Sequence, residues 1–425
     1  MKFKEIRLIA TAFALSLFFV GNDANAQTDT IKVAEPVPTP VVVVEKAPEK
    51  TEAQKKKAWY EILSIRGYAQ IRYNRLLETN PDLKCDQCDR SLGENGGLFL
   101  RRARLIFSGN VHERVFIYIQ PDIASSASST SLNFFQIRDA YFDIAVDKDK
   151  EFRFRLGQSK IPYGFENMQS SSNRLTLDRN DALNSAIANE RDLGVFFYYA
   201  PADIRKRFEE LTSLGLKGSG DYGVVGFGVY NGQTANKPEA NDNLHTVARV
   251  SYPFKLSSGQ FIEPGIQAYT GRYTVTADQV SSGVKVDRSY QDKRVAASLT
   301  VYPQPLGFQA EYNIGKGPEY DAATKTIKVK DLQGGYAQAM YMMKLGSHTV
   351  IPFLKLQYYD GGKKHERDAA GHLVYQTEIG AEWQLIKNFE LTGVYSIEDR
   401  TVMNAANPSN NQHGSRLRLQ AQFNF

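Results

Sequence analysis

The alternation of apolar and polar residues constrains the fold of this chain more than any other feature. In residues 63–74 the odd-numbered positions are mainly apolar and the even-numbered positions are mainly polar. Residues 416–425 alternate in the same way and end the chain on Phe425. Successive side chains of a β-strand point to opposite faces, so each segment predicts a strand with one apolar and one polar face. In a membrane barrel the apolar face contacts lipid and the polar face lines the lumen.

Similar segments follow one another along most of the chain, joined alternately by short turns and long loops. A soluble sandwich also alternates, but a whole chain of such strands with this difference between connections predicts an all-β, transmembrane, antiparallel up-and-down β-barrel. Short periplasmic turns and long extracellular loops are expected, with long loops at 77–97, 123–133, 161–190, 275–289, 315–331 and 400–413. Strands are predicted near 62–76, 98–110, 113–122, 134–146, 151–160, 191–218, 221–231, 243–254, 261–274, 290–303, 306–314, 332–345, 348–360, 372–386, 388–399 and 414–425.

The predicted number of strands depends on residues 191–218. Polar residues 202–210 interrupt this segment, and counting its two halves separately gives an odd number of strands. A single-chain bacterial barrel with both ends in the periplasm needs an even number. We therefore expect one strand around an insertion, and about 16 strands in total.

The N-terminal residues predict secretion. A basic region at 2–7 precedes a short apolar stretch at 8–20, and a small-x-small pattern follows at 24–26. This order predicts a cleaved signal peptide over residues 1–26, with an uncleaved anchor helix as the alternative. Together with the strand pattern, it predicts the outer membrane of a Gram-negative cell as the location.

The rest of the chain divides into a tail and a barrel. Residues 27–58 are rich in Pro, Lys and Glu and predict a disordered periplasmic tail, and residues 59–425 are expected to form the outer-membrane β-barrel. The mean hydropathy is −0.41, and no later segment approaches the ~20 apolar residues of a spanning helix. The formal net charge of +5 is small for 425 residues and gives no indication of nucleic-acid binding.

Several short motifs resemble one family of channels. They are Phe99–Arg104, Arg138–Asp143, Arg155–Gly164, Glu190–Gly194 and the terminal Phe425. In this order and spacing they resemble the phosphate-selective porin O and P family of outer-membrane channels, and the resemblance runs through most of the chain after the tail.

The resemblance implies a sixteen-stranded barrel that usually forms a homotrimer and has basic residues along its pore. It also implies that Phe425 is part of the signal by which barrel proteins are recognised by the insertion machinery. The function expected from the resemblance is passive diffusion of small solutes, with a preference for phosphate or other small anions. A structural or assembly barrel without significant conductance is the alternative, and a barrel enzyme is a more distant one.

Mid-strand arginines are predicted to point into the lumen. An Arg on the lipid face at the bilayer midplane costs roughly 2–4 kcal/mol, whereas the lumen is aqueous. The same argument places Asp139 and Asp143 inside, together with most of the later glutamates. The predicted basic pore-lining residues are Arg66, Arg72, Arg102, Arg104, Arg153, Arg155, Arg416 and Arg418.

Two interpretations of these inward charges stay open. The basic residues cluster on the first, second, fifth and last predicted strands, and most glutamates lie on later strands, which suggests a positive wall that faces a negative one. Guanidinium groups suit phosphate and carboxylate oxygens, so a positive wall would concentrate anions. Alternatively, the arginines pair with Asp139, Asp143 and Glu151 on neighbouring strands and stiffen the wall.

The longest loop, residues 161–190, has the features of a functional loop. Porin loops at about this position fold inward and narrow the channel, which is what the resemblance implies here. Arg174, Asp178, Arg179 and Asp181 would then border the constriction. The alternative is an exposed loop that never enters the pore.

Other candidate sites are weak. Cys85 and Cys88 form a lone C-x-x-C pair, for which a small disulfide in an oxidising compartment is the favoured interpretation. A structural zinc site needs four ligands, and a redox motif needs a thioredoxin-like context. The six histidines are scattered without a nucleophile–base arrangement, so we expect no enzyme activity, no cofactor and no metal.

Overall fold

The structure is a computed structural model that describes residues 59–77, 97–125, 133–408 and 410–425. The predicted signal peptide and tail lie outside the described residues. Cys85 and Cys88 lie outside them too, so the predictions for these parts of the chain stay predictions.

The chain forms one antiparallel barrel. Two very short strands only continue a neighbour, because β8 and β9 both pair with β10, and β13 and β14 both pair with β15. The wall is therefore sixteen strands around, which confirms the predicted fold class and strand number. The strands are β1 Ser64–Leu76, β2 Gly97–His112, β3 Val115–Ser125, β4 Asn133–Ala145, β5 Phe152–Lys160, β6 Arg191–Tyr199, β7 Val225–Tyr230, β8 His245–Ser251, β9 Phe254–Lys255, β10 Phe261–Tyr273, β11 Tyr290–Val301, β12 Leu306–Asp321, β13 Thr326–Tyr341, β14 Met343–Leu345, β15 His348–Gly362, β16 Gly371–Ile386, β17 Phe389–Met403 and β18 Asn410–Asn424.

Helices in the described residues are few and short. No helix of the described residues is long and apolar enough to cross a membrane. The α-helices are α1 Trp59–Ile62, α2 Phe165–Met168, α3 Asp181–Asn184 and α4 Ala202–Ser213, and 3-10 turns occur at Ala188–Glu190, Ala277–Gln279 and Arg367–Ala369.

The barrel closes between its first and last strands. β1 pairs with β18 from Tyr68 opposite Asn424 to Leu76 opposite Arg416. The terminal residue completes this seam, since Phe425 and Gly67 exchange two backbone hydrogen bonds of 2.8 and 2.9 Å. A Cβ at Gly67 would lie 2.6 Å from the Phe425 ring, so the seam needs a glycine there. Closure leaves no strand edge unpaired.

Exposed and buried side chains alternate along the strands, as the sequence predicted. On β1, Ile65 and Ile71 are 65% and 53% exposed, whereas Tyr68 and Gln70 are 3% and 2% exposed. Apolar side chains thus cover the outside of the wall and polar ones are buried within it. This arrangement is the reverse of a soluble protein and suits a lipid environment.

One end of the barrel carries mostly short connections, and we call it the short-turn end. It includes the turns at residues 113–114, 302–305, 346–347 and 387–388, and it faces the periplasm in outer-membrane barrels. The opposite end, with the long connection 161–190, is the long-loop end.

The predicted interrupted strand at 191–218 is wrong, although the even strand number is right. β6 ends at Tyr199, and the polar insertion is helix α4 at the short-turn end rather than a break within a strand. The apolar residues Ile204, Phe208 and Leu211 recur at helical spacing and are buried. A strand interpretation of this segment overlooked that period.

Two predicted long loops are mostly strand. β12 and β13 extend to a tight turn at 322–325, and β17 and β18 extend to residues 403 and 410. Ion pairs of 2.6 Å between Lys316 and Asp331 and of 3.0 Å between Lys330 and Glu319 link β12 to β13. This part of the hairpin carries charges on both faces, so the apolar–polar alternation that predicts a membrane strand is absent there.

The outward position of Ile266 yields a test of the lipid-facing surface. Ile266 is 63% exposed near the middle of β10, so Ile266→Arg should destabilise the barrel in lipid vesicles by about 2–4 kcal/mol. Val286→Arg is the matched control, because Val286 is 44% exposed but lies in the connection after β10. Denaturant unfolding in vesicles measures both, and equal losses would contradict the assigned lipid face.

Candidate functional site: the charged lumen

The predicted basic residues mostly lie buried on the inner face of the wall. Arg66 shares that face but is exposed near the short-turn end. Asp139 and Asp143 are buried as well, on β4. The buried arginines of the predicted set are Arg72, Arg102, Arg104, Arg153, Arg155, Arg416 and Arg418.

The arginines of β2 and β5 include three that form ion pairs with aspartates of a neighbouring strand or connection. Arg104 lies 3.0 Å from Asp122 on the next strand. Arg155 donates to both oxygens of Asp143 at 2.7 and 2.8 Å, which is a bidentate geometry. A similar contact of 2.7 Å joins Arg153 to Asp221, a residue of the β6–β7 connection. Of the partners expected from the sequence, only Asp143 is among these three, and Asp122 and Asp221 take the other two arginines.

The last strand shows why the two predicted walls are not separate. Arg416 pairs with Glu398 of the neighbouring β17, and Arg418 pairs with Glu378 of β16 at 2.6 Å. Basic and acidic residues therefore interleave across this part of the wall. β16, β17 and β18 are consecutive strands, so the glutamates assigned to a separate acidic wall lie directly beside the arginines of the last strand.

Arg102 differs from the other buried arginines. Its side chain is 7% exposed, on the same face of β2 as Arg104. Within the described part of the chain, Arg102 makes neither a hydrogen bond nor an ion pair. Its charge is therefore not paired with a carboxylate of these residues.

The connection 161–190 reaches the β17–β18–β1 side of the wall. Asp178 contacts Arg72 of β1 at 3.4 Å and Arg418 of β18. Asp181 contacts Arg400 of β17 at 3.3 Å. Burial alone would raise the pKa of Asp178, but Arg72 and Arg418 hold that pKa below its usual value. The carboxylate is therefore ionised and paired.

The same connection also contacts the opposite side of the wall. Arg294 of β11 donates to Ser185 at 2.7 Å. Glu311 of β12 accepts from the backbone N–H groups of Phe165 and Glu166 at 2.6 and 2.7 Å. A segment that bonds to β1 and β18 on one side and to β11 and β12 on the other must lie inside the barrel.

Arg174 and Arg179 turn toward a different partner from the two aspartates. Both contact Glu190, at 3.5 and 3.0 Å. Three more cations surround the same carboxylate, namely Arg191, Lys160 at 3.7 Å and Arg138 at 3.9 Å. Burial would raise the pKa of Glu190, but Lys160 and Arg179 are foremost among the cations that hold it well below its usual value.

The surroundings of Glu190 contain an excess of positive charge. Asp122 and Asp139 also lie nearby, and they pair with Arg104 and Arg191 at 3.0 Å each, whereas Glu166 near Arg179 is paired with Lys355. We call this group the basic cluster; it comprises three carboxylates and seven cationic residues, Arg102, Arg104, Arg138, Lys160, Arg174, Arg179 and Arg191.

Glu190 and Lys160 were not predicted as site residues, although the sequence contains a signal for them. The motifs Arg138–Asp143, Arg155–Gly164 and Glu190–Gly194 each contribute a charged residue to the basic cluster. Their convergence on one carboxylate follows from the pairing of β4 with β5 and of β5 with β6. Among the described residues, no group of His, Cys, Asp and Glu is arranged to hold a metal ion.

A closed wall with an apolar outside, a charged inside and an inserted loop defines a transmembrane barrel of the porin type. The chain belongs to the phosphate-selective porin O and P family, whose model matches residues 79–425. Comparison of the sequence with curated proteins finds no match.

Solved structures share the fold at low identity. The outer-membrane channel DcaP of Acinetobacter baumannii matches with a TM-score of 0.53 and 14% identity, over 85% of this chain and 97% of that one. An anion-selective porin from Comamonas acidovorans matches with a TM-score of 0.50 and 10% identity, over 85% and 99%. The trimer form of OmpT from Vibrio cholerae has a TM-score of 0.50 and 9% identity, again over 85% and 99%. At such identities these similarities establish the fold alone.

The contacts of Glu190 predict a large effect of its removal. Glu190→Gln leaves several buried cations without their carboxylate, and loss of one member of a buried ion pair costs roughly 3–5 kcal/mol. Glu210→Gln is the matched control, because Glu210 pairs with Lys255 on the surface at 38% and 43% exposure. Such exposed pairs contribute about 0–1 kcal/mol. Equal unfolding free energies for the two variants would contradict the assigned role of Glu190.

Proposed function

We propose that the protein is an outer-membrane porin through which small solutes diffuse, with a preference for phosphate or other small anions. The basic cluster carries this proposal. Seven cations face three carboxylates in a confined interior, and a low-dielectric surrounding focuses the field of such an excess. Guanidinium groups bind phosphate and carboxylate oxygens in a bidentate fashion.

Arg102 is the proposed first contact for an entering anion. Its neighbour Arg104 is committed to Asp122, whereas Arg102 has no carboxylate partner in the described residues. An anion could therefore pair with Arg102 without displacing a carboxylate. The buried arginines of the predicted set other than Arg102 act mainly through their ion pairs with the wall and with the inserted connections.

The connection 161–190 is proposed to narrow the channel. Its contacts with β1 and β18 on one side and β11 and β12 on the other support this role. Arg174 and Arg179 then present the basic cluster to the passage, and Asp178 and Asp181 anchor the loop to the opposite wall.

A barrel without significant conductance is the second candidate function. It is favoured by an apolar cluster within the barrel, in which Phe165 and Leu175 of the inserted connection pack with Phe208 of α4. Reconstitution into a planar bilayer separates the two candidates, because a plugged barrel carries little current.

The proposed location is the outer membrane, in keeping with the family. A homotrimer is proposed because the trimer form of OmpT shares the fold. Phe425, whose ring covers Gly67 at the seam, is the proposed recognition residue for the insertion machinery.

Ion selectivity tests the role of Arg102. Arg102→Gln should lower the ratio of anion to cation permeability by roughly two- to fivefold, because it removes an unpaired charge from the passage. Arg75→Gln on the exposed outer face of β1 is the control and should leave the ratio unchanged. Reversal potentials in a salt gradient measure the ratio. Cation selectivity that is insensitive to loss of Arg102 and Arg104 would contradict the anion preference.

Shortening the inserted connection tests the constriction. Removal of residues 171–187 should raise single-channel conductance, because this part contains the contacts of Asp178 and Asp181 across the lumen. Removal of residues 282–286, from the connection after β10, is the control. An unchanged conductance of the shortened barrel would contradict constriction by this loop.

A further inference from the structure

The connection between β6 and β7 is exceptional among those at the short-turn end. It extends over residues 200–224, whereas the turns at 113–114 and 387–388 contain only two residues each. A short turn could connect β6 to β7, because the last residue of β6, Tyr199, is paired with the first residue of β7, Val225. The segment is therefore dispensable for closing the wall and must have another role.

Helix α4 of this segment packs under the barrel. Its buried residues Ile204, Phe208 and Leu211 join an apolar cluster that continues onto the inner face of the wall. The lumen is polar elsewhere, so apolar inner positions at this end match the apolar face of α4. The wall residues of the cluster are Phe261, Tyr302, Met340, Met342, Ile351, Phe353 and Val394.

After α4 the chain enters the lumen and reaches the far wall. Lys217 Nζ lies 2.6 and 2.8 Å from the two carboxylate oxygens of Glu382 on β16. The side chains are 5% and 1% exposed, so this ion pair is buried. Around the wall, β8, β10, β11, β12, β13 and β15 separate β7 from β16, so the segment reaches almost to the opposite side of the barrel.

Two inserted segments meet inside the barrel. Gln169 of the 161–190 connection donates to the Lys217 carbonyl at 2.6 Å, and Asn173 donates to the Gly218 carbonyl at 2.8 Å. A solute that leaves the basic cluster for the short-turn end therefore meets residues 201–223.

We propose that residues 201–223 form a gate at the short-turn mouth, with the Lys217–Glu382 ion pair as its latch. This inference rests on the proposed channel function. Gly215 and Gly220 have φ values of +70° and +98°, in the left-handed region that favours glycine, and they lie on either side of Lys217. In this proposal the residues between the two glycines swing, while α4 stays packed at the mouth and Tyr199 and Val225 stay paired.

The ion pair holds the segment against the far wall because an unpaired buried charge is unfavourable in free energy. While both partners are present, the ion pair compensates the burial of Lys217 and Glu382. Loss of Lys217 leaves Glu382 uncompensated, and loss of Glu382 removes the carboxylate to which Lys217 donates, with Glu390 of β17 remaining nearby. In either variant the remaining charge gains by becoming hydrated. Hydration requires the segment to leave the far wall, which opens the mouth.

Single-channel recordings of the full chain test the latch. Lys217→Gln and Glu382→Gln should each raise the mean current per channel at least threefold. Lys255→Gln should leave the mean current unchanged, because the ion pair between Lys255 and Glu210 of α4 is exposed to solvent. Exchange of the charges, Lys217→Glu with Glu382→Lys, should return the current toward that of the wild type. The gate would be overturned if the two latch variants had the same mean current as Lys255→Gln.

Excision of the segment separates failure of the gate from failure of the channel. Replacement of residues 201–223 by an Asn-Gly turn suits a hairpin whose strands are already paired. Folding is checked by the difference in gel mobility between heated and unheated samples of the barrel. The proposal predicts a folded barrel with at least threefold higher current. A current equal to wild type overturns the gate alone, and a folded excised barrel without current overturns the channel function as well.

Discussion

The need to pair every backbone polar group in hydrocarbon is the constraint on which the rest of the structure depends. An unpaired N–H or C=O group in the bilayer costs several kcal/mol, so a sheet can span it only as a closed barrel. The seam between β1 and β18 satisfies this need, and the mutual hydrogen bonds of Gly67 and Phe425 complete it. Once the wall is closed, the alternation of side chains fixes which residues meet lipid and which meet the lumen.

Closure also explains the charges of the interior. Lipid excludes charged side chains from the outer face, so the wall places its mid-strand arginines and carboxylates inside, where they compensate one another. Arg155 with Asp143 and Arg418 with Glu378 show the usual outcome. The basic cluster around Glu190 departs from it, because the wall and the inserted connection both bring cations there. This local imbalance, rather than a basic pore as a whole, is the physical basis of the proposed anion preference.

The sequence predicted the features that depend on local periodicity. The faces of β1 and the end of the chain at β18 follow from alternation alone, and so do the inward positions of Arg72 and Arg104. Partners that lie far apart in sequence could not be predicted. Arg153 pairs with Asp221 from the β6–β7 connection, and Asp178 pairs with Arg418, because closure and the inserted segments create these contacts. Helix α4 was missed because residues 202–210 were interpreted as a polar insertion, and the helical spacing of Ile204, Phe208 and Leu211 was overlooked.

The central claim is that the basic cluster binds small anions on their way through the barrel. The most direct measurement is the chloride current through single channels while phosphate is added at constant ionic strength. The account predicts an anion-selective current that phosphate reduces in a saturable manner, because both ions occupy the same cationic site. A cation-selective current that phosphate leaves unchanged would contradict it.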